Sequence, residues 1–414
     1  MAFQQGLSGL NSSSKALDVI SNNVANSGTV GFKSANAHFS DVYAASLSGA
    51  GASQVGIGTS MSAVVQQFTQ GNITTTNNPL DISINGGGFF RMSQNNAITF
   101  SRNGQFHLDN AGYIVNDKEQ RLTGYPVDST GNVVPSTPVD LQLSASQIPP
   151  RATSDTLSGN IKAVLNLDSR ESDPTVSPFN YSNPKTYNFS TGLSVYDTLG
   201  VAHTLTTYYR RDATTTPGTI IWHAYATLDG ASPQAIGNLT FTPSGALNSG
   251  PTFAAPTFTL TTGATSPWSP GAIDFTGTTQ YGAESGVDRL VQGGYTSGSL
   301  SGITVGADGV IQGRYSNDQT RDLGQVVLAN FTNPNGLVNL GSNQWAESSV
   351  SGPPLVGAPN SGSLGVLQSA AVEESNVDLT AELVSMITQQ RNYQANAQSI
   401  KTQDSVLQTL VNLR

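Results

Sequence analysis

Four histidines, one glycine triplet and a few acidic turns are where this sequence could hold reactive chemistry. His38, His107, His203 and His223 are scattered, with no carboxylate or second histidine at the spacing that brings two ligands onto one metal. Asn85, Gly86, Gly87, Gly88 and Phe89 have the glycine content of a phosphate cradle, but no Lys-Ser/Thr follows. Ile82, Ile84, Phe89 and Phe90 flank the triplet with strand-like alternation, which predicts a tight hairpin or bulge. Gly306, Ala307, Asp308 and Gly309 lack the alternating acids and closing glutamate of a calcium loop and read as a hairpin turn. No serine occupies a Gly-x-Ser-x-Gly elbow. The expectation is no enzyme, no metal site and no cofactor.

Composition narrows the classes further. The chain has no cysteine, so disulfides and thiolate chemistry are closed to it. A net charge of −9 without any cluster of Lys or Arg excludes nucleic acid as the expected partner. Charged residues make up only 11%, against 43 glycines and 20 prolines, a balance that suits short strands joined by many turns. Phe3, Leu7 and Leu10 are separated by polar residues, so neither a cleavable signal peptide nor membrane insertion is expected. A length of 414 residues predicts two or three globular units.

With chemistry set aside, the elements that remain are interfaces. Leu7, Leu10, Leu17, Ile20 and Val24 follow a three-four alternation that predicts an N-terminal helix, stopped by Asn26, Ser27 and a left-handed Gly28. Gly6, Gly9 and the Ser12 to Ser14 run give it poor helix propensity, so it should need a partner surface. Asp378 caps a second helix whose apolar seam runs Leu379, Leu383, Met386, Tyr393, Ala397, Ile400, Leu407 and Val411, interrupted by polar Gln390 and Asp404 and roughly 50 Å long at 1.5 Å per residue. Two stripes at opposite chain ends predict that the termini meet as a coiled coil and that copies of the chain supply the remaining contacts.

Between the ends the period falls to two. Phe100 to Leu108 with Tyr113 to Val115, Leu193 to Tyr209, and Ile303 to Ile311 read as hairpins. The fold class is therefore mainly β with long terminal α-helices, nested β domains on a coiled coil. The expected division is a helix over 1–28, a connecting segment over 29–70, an inner β domain over 71–147 and 286–360, an inserted outer β domain over 148–285, a connecting segment over 361–377 and a helix over 378–414.

Ser21, Asn22, Asn23, Val24, Ala25 and Asn26, then Gly28, Thr29, Gly31, Phe32 and Lys33, resemble the N-terminal signature of the flagellar rod and hook axial proteins. Glu374 to Leu379 and Gln390, Arg391, Asn392, Tyr393, Gln394, Ala395 and Asn396 resemble the family's C-terminal signature. The stretch Leu193 to Gly200 with His203, Thr204 and Leu205 resembles the Asp-x-x-Gly hairpin of the hook branch. The resemblance implies a subunit that polymerises with itself into a curved, flexible extracellular tube, a universal joint passing torque from rod to filament and enclosing an export channel. It implies as partners the distal rod, the hook cap, the hook-filament junction protein and the flagellar export apparatus. A distal-rod or hook-associated axial protein is the alternative within the class. A secreted adhesin using Tyr208, Tyr209, Trp222 and Tyr225 as an aromatic platform is the alternative outside it.

Overall fold

The computed structural model describes residues 2–42, 56–129, 131–143, 147–154, 160–212, 220–248 and 251–412. Helix α1 (Ala2–Ala25) leads into a hairpin of β1 (Ala35–Val42) and β2 (Gly58–Gln66), and α2 (Leu379–Asn412) closes the chain. Between them the described residues form strands, turns and two short 3-10 helices, Pro184–Thr186 and Pro334–Gly336. The chain divides into two compact units, one of Met1–Ala145, Gly302–Arg314 and Thr320–Arg414, the other of Ser146–Ser301 and Tyr315–Gln319.

In the first unit the strand Phe89–Gln94 shows why alternation builds this fold. Successive side chains leave a strand on opposite faces. Phe90 and Met92 enter a core with Ile82, Ile84, Leu122, Ile311 and Leu328, while Phe89 enters another with Phe100, Phe331 and Trp345. Each fully buried side chain of this size contributes about 1.5–3 kcal/mol over its exposed state. The strand turns back into Ala97–Ser101 through Asn95 and Asn96, both at positive φ, as a two-residue hairpin loop demands.

The glycine triplet forms no hairpin. Ile82–Asn85 pairs with Val366–Ser369 instead, and the triplet carries the chain from that pair to Phe89–Gln94. Gly86 and Gly88 have φ of 115° and 112°, and a Cβ on Gly86 would stand 3.0 Å from the Cα of Gly365. Glycine is there for conformation and close approach. At the 306–309 turn the Gly306 amide donates to the Val310 carbonyl, and Asp308 Oδ1 accepts from the Val310 amide.

Both segments expected to be mere connections carry strands. Residues 29–70 contain the β1–β2 hairpin, and within 361–377 Ala371–Glu373 pairs with Ile73–Thr75. The expected boundary at 285 also moves. Gly286–Val291 pairs with Ile161–Asn166, and bridges join Arg151 to Tyr295 and Ile148 to Gly298, so the second unit runs to Ser301.

That second unit has two four-stranded sheets. One orders Thr252–Ala254, Ala272–Asp274, Ile161–Asn166 and Gly286–Val291; the other orders Phe189–Tyr196, Ala202–Asp212, Ile221–Leu228 and Gln234–Thr240. They share one core, to which Leu165 and Ile273 come from the first sheet and Leu205, Tyr209 and Trp222 from the second.

Candidate functional site: a helix pair and its anchor

The two helices run antiparallel. Asn23 Nδ2 donates to Glu382 Oε1 at 2.9 Å near one end of the contact, and Gly6 and Gly9 lie against Ile400 and Asn396 towards the other. A Cβ on Gly6 would come within 3.1 Å of Ile400 Cγ1, and one on Gly9 within 2.8 Å of the Asn396 side-chain amide. Among the described side chains of α1, Gly6, Ser13, Ala16 and Asn23 are the buried positions, so its most enclosed line is made of small and polar residues. Gly6 and Gly9, which weaken helix propensity, are the residues that let the second helix approach.

On α2, Glu382, Met386, Gln389, Asn396, Ile400 and Gln403 are half-buried and follow a three-four line, with Tyr393 on the same line at 37% exposure. The expected apolar seam is therefore half polar. Met386, Tyr393 and Ile400 belong to it. Leu379 and Leu407 continue the same seven-residue spacing but are 45% and 56% exposed. Length explains this: α2 has 34 residues and α1 has 24, about 51 Å against 36 Å, so α2 overhangs α1 at both ends. Leu383 is turned aside with Val384 and Ile387, all exposed. Leu10, Leu17, Ile20 and Val24 of α1 are half-buried, and Leu7 is exposed. The side chain of Val411 lies outside the described residues.

Ser8, Ser12 and Gln5 of α1 serve the hairpin. Ser8 Oγ accepts from the Thr59 amide at 3.3 Å, Ser12 Oγ meets Thr59 Oγ1 at 3.1 Å, and Gln5 Nε2 donates to the Gly56 carbonyl at 2.6 Å. A Cβ on Gly58 would fall 2.0 Å from Ser8 Oγ, which fixes glycine there. On the other helix Asp378 Oδ1 accepts from the Thr380 and Ala381 amides, the N-cap the sequence predicts.

Below the helices lies a buried charge cluster that sequence reasoning missed. Lys33 Nζ stands 2.7 Å from Glu373 Oε1 and donates to the Thr69 carbonyl at 2.7 Å, while Arg102 Nη1 stands 3.1 Å from Glu373 Oε2. Glu373 also accepts from the Gly71 amide, and Arg102 donates to the Gly86 carbonyl. Burial lowers the Lys33 and Arg102 pKa values, and the nearby Glu373 carboxylate opposes that shift. The left-handed glycine is Gly31, at φ 70°, and not Gly28; its amide donates to the Glu373 carbonyl at 2.7 Å.

Three asparagines complete the anchor. Asn23 exchanges hydrogen bonds with both backbone groups of Ala35, Asn376 accepts from the Ser34 amide and donates to the Gln67 carbonyl, and Asn343 donates to the Val30 carbonyl. The available signal was Lys33 itself, one of only 18 cationic residues in the chain, set inside an otherwise uncharged motif.

Elsewhere, His203 lies between Asp197 and Asp229, an arrangement that linear spacing did not reveal. The aromatic platform does not form. Tyr209 and Trp222 are fully buried in the core of the second unit, whereas Tyr208 and Tyr225 join Phe179, whose ring stacks on Tyr225 at 4.2 Å. No described helix is long and apolar enough to cross a membrane.

Four family descriptions match along the chain: "Flagella basal body rod protein" over 3–33, "Flagellar hook protein FlgE/F/G D1 domain" over 83–160, "Flagellar basal body protein FlaE D2 domain" over 166–295 and "Flagellar basal body rod FlgEFG protein C-terminal" over 368–413. The flagellar hook protein FlgE of Escherichia coli K12 is 39% identical over 424 residues, and that of Salmonella typhimurium 40% over 428, each covering 100% of both chains. The protein of that name from Borreliella burgdorferi is 29% identical over 100% of this chain and 99% of its own. A crystal structure of Helicobacter pylori flagellar hook protein FlgE2 shares the fold, with a TM-score of 0.51 at 12% identity over 72% of this chain and 100% of that one. Matched end to end by relatives of this identity, the chain belongs to the flagellar hook protein family and is a structural subunit of the flagellar hook.

Proposed function

We propose that this chain polymerises through its terminal helices into a curved, flexible tube that passes torque from rod to filament and encloses an export channel. The observation that carries this reading is the overhang: Leu379 and Leu407 continue the line of Met386, Tyr393 and Ile400 past both ends of α1 and stay exposed. A second copy is the partner that would extend the buried line. Leu7, Leu10, Leu17, Ile20 and Val24 are assigned to the same assembly surface, as are Leu383 and Val411.

On this reading the tube meets the distal rod at one end and the hook-filament junction protein at the other, with the hook cap present during growth. The flagellar export apparatus delivers the subunits. The protein acts by assembly and not by catalysis. The test is electron microscopy of the purified chain as ammonium sulfate is raised, because excluded sulfate strengthens apolar burial. Curved tubes support the hook reading, straight tubes favour a distal-rod protein, and persistent globules over a range of salt overturn assembly through the helices.

A further inference from the structure

The second unit holds a titratable cluster on which the proposed helix assembly does not draw. His203 Nδ1 stands 2.6 Å from Asp229 Oδ2, and His203 Nε2 stands 3.4 Å from Asp197 Oδ2. The His203 side chain is 6% exposed and the Asp197 side chain wholly buried. A neutral imidazole carries one N–H and can donate to only one of these carboxylates, leaving its other nitrogen lone pair against an anion. Only the imidazolium satisfies both at once.

Each carboxylate also organises a turn. Asp197 Oδ1 accepts from the Leu199 and Val201 amides, closing the turn between Phe189–Tyr196 and Ala202–Asp212. Its Oδ2 accepts from Thr262 Oγ1 at 2.9 Å, and the Thr265 amide donates to Thr198 Oγ1, so residues 262–265 are tied to that turn. Asp229 Oδ1 accepts from the Thr204 amide at 2.7 Å and heads the turn before Gln234–Thr240, at φ 52° with Gly230 at 75°. His203 thus joins two turns directly, and reaches residues 262–265 through Asp197.

We propose that Asp197, His203 and Asp229 form a pH-sensitive staple in the second unit, closed while the imidazole is charged and opened by its deprotonation, which frees the turns at 197–201 and 229–231 and the segment 262–265. The charged groups facing the ring are these two aspartates; the 258–268 segment adds Thr262 and the Trp268 ring, which are uncharged. Burial of the ring disfavours its charge, but the carboxylates outweigh burial and the His203 pKa is raised. The staple's stabilisation is then fully present below the ordinary imidazole value of about 6.5 and is lost as pH rises through the higher folded value.

The test uses the full-length chain, following exchange of each histidine C2 proton and of backbone amides by mass spectrometry from acid to alkaline pH. His203 should titrate above about 6.5, each unit of elevation corresponding to about a tenfold change in the staple's closing constant. After correction for intrinsic exchange, protection at 197–201, 229–231 and 262–265 should fall across that midpoint. Asp229→Asn keeps a residue that tolerates positive φ while removing one anion, and should lower the His203 midpoint. His203→Gln should make the turns' protection independent of pH in this range. A wild-type midpoint at or below 6.5, a midpoint unmoved in Asp229→Asn, or turns equally protected on both sides of it would overturn the proposal.

Discussion

Glu373 faces two buried cations, and the balance among the three decides how firmly the chain segments below the helices are held together. Replacing it by glutamine leaves Lys33 and Arg102 buried without an anion, at a cost of about 3–5 kcal/mol. Lys33→Met removes one cation but leaves Glu373 paired with Arg102, so its loss should be clearly smaller. Urea unfolding of the unassembled chain reads both, and equal losses would contradict this account of the cluster. A pH effect follows from burial of Lys33. Its folded value is lowered, so the unfolded chain binds more protons between that value and the ordinary lysine value of about 10.4. Stability of the first unit should therefore rise with pH across that window, and Lys33→Met should remove that contribution. Local chemistry at this scale was legible in the sequence: Asp378 caps its helix, and Asp109 accepts from the Ala111 and Tyr113 amides in the predicted turn. Lys33 and Glu373 were not, because they are 340 residues apart and no periodicity links them.

The helix pair illustrates how two opposed effects share one residue. Gly6 and Gly9 each forfeit about 0.8–1 kcal/mol of helix propensity relative to alanine, yet they admit Ile400 and Asn396 to close contact. Gly9→Ala should therefore change stability by less than about 1 kcal/mol, since the Asn396 amide is a flexible group that can turn away while the helix gains propensity. Gly6 and Gly9 both replaced by leucine should instead prise the helices apart and lower helical circular dichroism, with the β units intact. An unchanged helical signal would mean the contact is not where the helices get their stability. Sequence periodicity located both helices but misjudged their faces. On α2 it named Met386, Tyr393 and Ile400 of the enclosed line but not the Glu, Gln and Asn that alternate with them, and on α1 it weighted Leu, Ile and Val where the enclosed line consists of Gly, Ser, Ala and Asn. The β1–β2 hairpin escaped notice because its strands are mostly exposed, with Phe39, Met61 and Val64 left in solvent and no buried face to impose a period of two.

For the whole molecule, the second unit is inserted between segments of the first, and its far edge is set by strand partners that turns do not reveal. Gly286–Val291 belongs to the second unit because it pairs with Ile161–Asn166, a match across more than a hundred residues that the flanking glycines obscured. The overhang of α2 carries the largest consequence at this scale. If copies assemble by covering it, Leu379→Ser with Leu407→Ser should leave the single chain folded, because both side chains are already exposed there. Surface changes of this kind shift monomer stability by about 0.5 kcal/mol or less. Each leucine, once buried between copies, would contribute about 1.5–3 kcal/mol, and the loss recurs at every contact along a polymer. The double variant should thus need markedly more ammonium sulfate to form tubes by light scattering and electron microscopy, with an unaltered circular dichroism spectrum. Deletion of 379–414 should abolish tubes altogether. Normal assembly of the double variant would place the subunit contacts away from the ends of α2, and normal assembly of the deletion would remove the helices from the mechanism.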